Sequence, residues 1–249
     1  MLKKSLKYAP IAIIVCYLLF LFVIIPSQKD NDKCKELVIN ISGNQLGTIN
    51  NEEIVNALMS NDLYPEGKKM DRISCLDIED FIKTISLVKE CQVYKTNNNG
   101  IRLELVCREP VLKVYDKNDS IYYVDDEGHK ITDIKKPLLL PVASGEIDDE
   151  MIGDELKTII MTIKNDPFWM AQIEQIYFDK KKEATIVPRM GDHIIEIGTV
   201  KDFDEKLSNI KTFYTGGLNI VGWDKYNKLN IEINNKVICT KKKNTKSDK

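Results

Sequence analysis

An uncharged run from Tyr8 to Ile25, preceded by Lys3, Lys4 and Lys7 and followed by a long polar remainder, restricts this chain more than any other feature. As a helix rising about 1.5 Å per residue, the run spans roughly 27 Å, near the thickness of a bilayer core. The lysines sit on its short side, so the positive-inside rule keeps residues 1–7 cytoplasmic and sends the remainder across the membrane. A cleaved signal peptide begins in the same way. Here Ile25-Pro26-Ser27-Gln28-Lys29 offers no small-x-small cleavage site, and the run exceeds an ordinary h-region. A retained transmembrane helix over 8–25 is therefore expected, with the working part outside the cytoplasm.

The rest of the chain is long enough for two small domains. A formal net charge of −2 and the lack of a basic stripe interleaved with aromatics argue against nucleic acid. The Lys-rich stretch 241–249 reads as a solvated, disordered tail. Cys34, Cys75, Cys91, Cys107 and Cys239 lie beyond the anchor. Five is an odd number, so in an oxidising compartment at least one is free or intermolecular. No CxxC or Cys/His spacing occurs among them, which argues against zinc.

After a linker over 26–35, Leu37, Ile39 and Ile41 alternate as in a strand that Ser42-Gly43-Asn44 closes. Asn50-Asn51-Glu52-Glu53 reads as a capping box for a helix with Ile54, Val55, Leu58 and Met59 on one face. Asp77 is expected to cap a second helix, whose face carries Ile78, Phe81, Ile82 and Ile85. The segments 88–96 and 101–108 flank Asn97-Asn98-Asn99-Gly100, a hairpin signature. A three-residue loop of Asn98, Asn99 and Gly100 sets Cys91 opposite Cys107. A Cys91–Cys107 bond, a bond of Cys34 to either, and buried free thiols all stay open.

Arg108-Glu109-Pro110 marks a boundary, and beyond it strands dominate. Expected strands cover 111–115, 121–124, 130–133, 138–142, 173–178, 184–188, 193–197, 218–221 and 228–240. Two helices are expected. One carries Met151, Leu156, Ile159, Ile160 and Ile163, the other Phe203, Leu207, Ile210 and Tyr214. The fold class is thus α+β: one transmembrane helix, a β-α-α-β-β module over 36–109, and a strand-rich domain with two helices over 110–240.

The N-terminal anchor, the module opening at Val38 to Asn44 with Ile-x-Ile-Ser-Gly-Asn, the Arg-Glu-Pro junction and the turn Tyr123-Val124-Asp125-Asp126-Glu127-Gly128 come in an order that resembles the bacterial cell-division family FtsQ, also called DivIB. Phe168 to Ile173, Pro188 to His193 and Gly222 to Tyr226 are similar to segments of that family's β-domain. The resemblance implies a POTRA module, a β-domain, FtsB and FtsL as direct partners, and residence in the cell inner membrane at the division septum with the domains periplasmic. The extra cysteines and the Lys-rich tail depart from many relatives.

No Gly-x-Ser-x-Gly, His-Glu-x-x-His or P-loop occurs, and the two histidines, His129 and His193, sit beside tight turns. Turn chemistry alone explains Asp125, Asp126 and Asp192 near Gly128 and Gly191. No enzyme activity, cofactor or metal is expected. Trp169 reads as core. Trp223 and Tyr226 lie in a loop of the kind that interfaces enrich. The last strand, with Leu229, Ile231, Ile233, Asn235 and Val237 on alternate positions, reads as a free sheet edge open to a partner strand, where the family resemblance also places the FtsB contact. The competing reading is a POTRA-bearing envelope protein that hands over polypeptides during transport. Against it stand the single anchor and the lack of a barrel-length run of strands.

Overall fold

The computed structural model describes residues 32–233 and 236–242, together with Ile14, Tyr17 and Phe20. Most of the expected anchor, Asn234, Asn235 and the tail from 243 lie outside the described residues. Among the described residues no helix is long and apolar enough to cross a membrane. The chain divides into two units, the second comprising Cys107–Lys249 with Gly43–Thr48 and Ile85–Leu87.

The first unit runs β1 (Glu36–Ser42), α1 (Asn51–Ser60), α2 (Cys75–Lys83), β2 (Val88–Lys95) and β3 (Gly100–Cys107). Its sheet has the order β1-β3-β2, with β1 parallel to β3, which sets Leu37, Ile39 and Ile41 beside the buried Ile101, Leu103 and Leu105. The capping box of α1 is reciprocal: Glu53 N–H donates to Asn50 Oδ1 at 2.9 Å, and Asn50 N–H donates to Glu53 Oε2 at 3.1 Å. At α2 the cap is Ser74, whose Oγ accepts from Asp77 N–H at 3.2 Å. Asp77 instead lies in the first turn, where a carboxylate favours the helix N-terminus. Ile78 and Ile82 are buried, whereas Phe81 is only half-buried.

The hairpin between β2 and β3 closes one residue earlier than expected, since Thr96 N–H donates to Gly100 C=O at 2.9 Å. Asn99 takes the left-handed position at φ 58°, which its short side chain tolerates, so Gly100 is released into the strand. The pairing of Cys91 with Cys107 rested on the later loop and loses its basis. All five of the described cysteines are free thiols.

The second unit is a nine-stranded sheet in the order β12-β11-β10-β9-β8-β7-β4-β5-β6. Its strands are β4 (Pro110–Tyr115), β5 (Ile121–Asp125), β6 (Lys130–Ile131), β7 (Val142–Gly145), β8 (Ile173–Phe178), β9 (Ala184–Pro188), β10 (Ile194–Gly198), β11 (Tyr226–Asn230) and β12 (Ile238–Lys241). Register aligns one apolar row across the sheet: Tyr122, Val114, Ala143, Ile176, Ile186, Ile195, Leu229 and Cys239. The first seven of these are buried. The neighbouring row carries Tyr177, Thr185 and Glu196 on the opposite face, and Tyr177 is exposed.

Both helical crossovers cover the apolar face. One joins the parallel pair β7 and β8 and the other the parallel pair β10 and β11, each stepping toward β12 in the same strand direction, so right-handed connection puts both on one side. The first comprises α3 (Asp149–Met151), a π turn Ile152–Leu156 and α4 (Lys157–Asn165), followed by α5 (Pro167–Gln172), a short helix beyond the two expected. The second comprises α6 (Phe203–Thr212), a π turn Phe213–Leu218 and α7 (Asn219–Val221). Residues 218–221, expected as a strand, therefore continue a helix. At the start of this crossover Lys206 is buried and donates to the carbonyls of Ile197 at 3.0 Å and Thr199 at 2.7 Å, tying down the end of β10. Burial lowers its ammonium pKa.

Two further expectations change. Of the apolar run 138–142 only Val142 enters a strand, and Leu139 is fully exposed. The expected strand 228–240 is a hairpin of β11 and β12 in antiparallel register, with Leu229 opposite Cys239.

Candidate partner-binding edge

The hairpin moves the free edge. β11 is paired on both sides, parallel to β10 and antiparallel to β12, so among the described residues the unpaired border of this end of the sheet is β12. Lys242 N–H turns inward to Lys225 C=O at 3.1 Å. Strand alternation then points the amides of Thr240 and Ile238 inward and those of Lys241 and Cys239 outward. Ile238, Thr240 and Lys241 have exposed side chains, and Cys239 packs partly against the core.

The residues expected to meet a partner fall into three groups. Leu229 and Ile231 are buried, and Ile231 N–H donates to Glu196 C=O at 2.9 Å, so both belong to the internal sheet rather than to a docking face. The alternation holds over Leu229 and Ile231, whose shared face is the core side, and ends before Ile233. Trp223, Tyr226 and Val237 are half-buried and pack against the core cluster, and Ile233 is 54% exposed. Asn235 lies outside the described residues. The sequence reading missed Ile238 and Lys241, which occupy the true edge. Asn234-Asn235, a turn dipeptide inside the supposed strand, was the available signal.

Beside this edge is an aromatic cluster. Trp223 stacks edge-on to Tyr214 at 4.9 Å between centroids and lies 6.5 Å from His193, while its Nε1–H donates to Asn219 Oδ1 at 3.2 Å. Trp169 is buried and packs at 5.9 Å from Tyr214. His193 is 2% exposed; its Nε2 lies 2.6 Å from Tyr214 Oη and its Nδ1 has no hydrogen-bond partner. Burial, then the nearby Lys242 charge, lower the His193 pKa, and burial raises that of Tyr214. A Cβ on Gly191, which has φ 89°, would come within 2.7 Å of the imidazole, so only glycine leaves the ring its place. The sequence reading put His193 beside a turn and gave it no part. Its neighbour Asp192 pairs with Lys242 at 3.0 Å, which ties the residue after β12 to the same loop.

The other histidine belongs to a turn. Asp125 is buried, and its Oδ1 accepts from Glu127 N–H at 3.0 Å and His129 N–H at 2.8 Å, while Oδ2 accepts from Arg108 Nη1 at 2.8 Å. Ligand atoms of Asp125, Glu127 and His129 lie within 4.8 Å of one another. Arg108 also reaches Glu127 Oε2 at 3.4 Å, so a guanidinium already serves as the counter-cation of this cluster.

The profile of the FtsQ/DivIB C-terminal related domain matches residues 109–240, more than half of the chain. The chain belongs to the FtsQ/DivIB family. A POTRA-like domain profile matches residues 32–106. No curated protein matches the chain at a significant level. An FtsQ/DivIB-type pairing of domains makes this a divisome-type protein, built from domains that generally serve as scaffolds rather than enzymes.

Proposed function

We propose that this FtsQ/DivIB-family chain is a non-enzymatic scaffold of the bacterial divisome, anchored in the inner membrane by residues 8–25 with its two domains periplasmic. In this reading it binds FtsB, and with it FtsL, by strand addition to β12 and so helps assemble septal peptidoglycan synthesis. The observation that carries the reading is the unpaired β12 edge at the end of the family-matched domain. Backbone pairing along that edge supplies affinity, and the exposed Ile238 and Thr240 side chains on one face supply selectivity. Trp223, Tyr226 and Ile233 flank the strand and widen the contact.

A pair of proline variants tests the edge. Lys241→Pro removes an outward amide and leaves the internal ladder intact, whereas Thr240→Pro breaks the pairing with Lys228. With the full chain in detergent and the extracytoplasmic segment of FtsB as probe, Lys241→Pro is expected to weaken binding at least about tenfold, the equivalent of one or two hydrogen bonds, with an unchanged melting temperature. Parental affinity in a folded Lys241→Pro variant would remove the edge mechanism. Absence of binding by the parent would remove the partner assignment itself.

A further inference from the structure

We infer that His193 is an acid-sensitive latch that fastens the β12 edge and the Trp223 turn to the sheet, and that its protonation releases them. The latch is closed at neutral pH by the 2.6 Å hydrogen bond between His193 Nε2 and Tyr214 Oη. The hydroxyl serves Nε2 in either neutral tautomer, as donor or as acceptor, whereas Nδ1 has no partner. A second proton puts an N–H on both ring nitrogens, and the one at Nδ1 meets no acceptor. The charge it brings sits in a ring that is 2% exposed.

The one neighbour that favours the new charge is outweighed. Asp192, on the same loop, attracts an imidazolium but is paired with Lys242, while burial and then Lys242, from the segment after β12, act more strongly against the charge. The π turn presents Tyr214, the Trp223 turn presents its indole, and α5 presents Gln172 and Trp169, none of which carries a negative charge near neutrality. An imidazolium is thus driven toward solvent. As it leaves, it withdraws its contacts to Tyr214 and Trp223 and displaces the Asp192 to Lys242 pair that holds the end of β12.

The sign follows from linkage. The folded chain binds this proton less readily than the unfolded chain, so the stability of the region is whole above about pH 6.5 and declines as pH falls below it. As control of partner binding, the latch rests on the edge-strand reading. The latch itself is tested without a partner, so its failure and the failure of that reading are separable.

The measurement is hydrogen exchange on the full chain at pH 7.4 and 5.5, normalised for intrinsic rates. Opening of segments 223–230 and 238–242 is expected to rise by up to about tenfold per pH unit below about 6.5, with residues 75–83 unchanged. His193→Gln should remove the response, and Lys242→Ala, which keeps the imidazole and raises its folded-state pKa toward the ordinary value, should weaken it. Equal protection of the two segments at both pH values would overturn the latch. So would a response that persists in folded His193→Gln, or, where that variant fails to fold, one that Lys242→Ala leaves at full size.

Discussion

Replacing Asp125 tests whether one buried carboxylate organises the turn after β5. Its two oxygens accept three hydrogen bonds, two from the backbone of Glu127 and His129 and one from the Arg108 guanidinium, whose side chain is only 15% exposed. Asp125→Asn keeps an oxygen for the backbone donors but turns an amide toward the guanidinium. It forfeits the charge-assisted bond and is expected to cost about 1.5–3 kcal/mol. Asp125→Ala also leaves both backbone donors without that acceptor and Arg108 with only its longer contact to Glu127, for a total of about 3–5 kcal/mol. Urea unfolding of the full chain followed by tryptophan fluorescence isolates the effect, because both tryptophans, Trp169 and Trp223, belong to the second unit. Combining Asp125→Asn with Arg108→Met completes a double-mutant cycle, with an expected coupling of about 1–3 kcal/mol. An Asn variant within about 0.5 kcal/mol of the parent, or a cycle with no coupling, would refute the account of the turn.

In the first unit, Ile82→Ala is expected to cost about 2–5 kcal/mol, and Phe81→Ala less, because Ile82 is fully buried and Phe81 is not; exchange protection of 75–83 in the two variants gives the order. Burial pushes the thiols of Cys91 and Cys107 up to about 11 from 9.0, so their thiolate population drops about 100-fold. Maleimide labelling of the native chain at pH 7.5 should therefore modify the half-buried Cys75 and Cys239 well before these two, and equal rates would contradict the burial.

Periodicity made the elements legible wherever one face meets one core. Leu37, Ile39 and Ile41 read as a strand and are one, and the register sets them beside β3. The five-residue step from Met151 to Leu156 was read as ordinary helix, yet it matches a π turn, which shifts the apolar phase by one residue and keeps both side chains buried. What misled the reading was apolarity without burial and alternation without continuity. Leu139 sits in an apolar run and is fully exposed, because composition says nothing of whether a neighbour arrives to cover it. Leu229 and Ile231 alternate as an edge strand does, but so does any half-buried strand. Which strand is last in a sheet is a matter of long-range pairing that local pattern does not carry. His193 was invisible for the same reason, since Tyr214 and Trp223 come to it from distant sequence.

The short strand β7 has a kinetic consequence. It pairs in parallel with both β4 and β8, and without it the sheet falls into two pieces, β4 to β6 and β8 to β12, in which β4 to β6 and β8 to β10 are antiparallel runs closed by contacts local in sequence. At its end Gly145 has φ 105° and lies so close to β8 that a Cβ would stand 2.1 Å from Phe178 O. Loop-closure entropy must be met before non-local pairing is rewarded, so the two pieces can assemble independently while their union waits for the chain to thread β7 between them. A strand of four residues thereby sets the pace at which nine strands become one sheet.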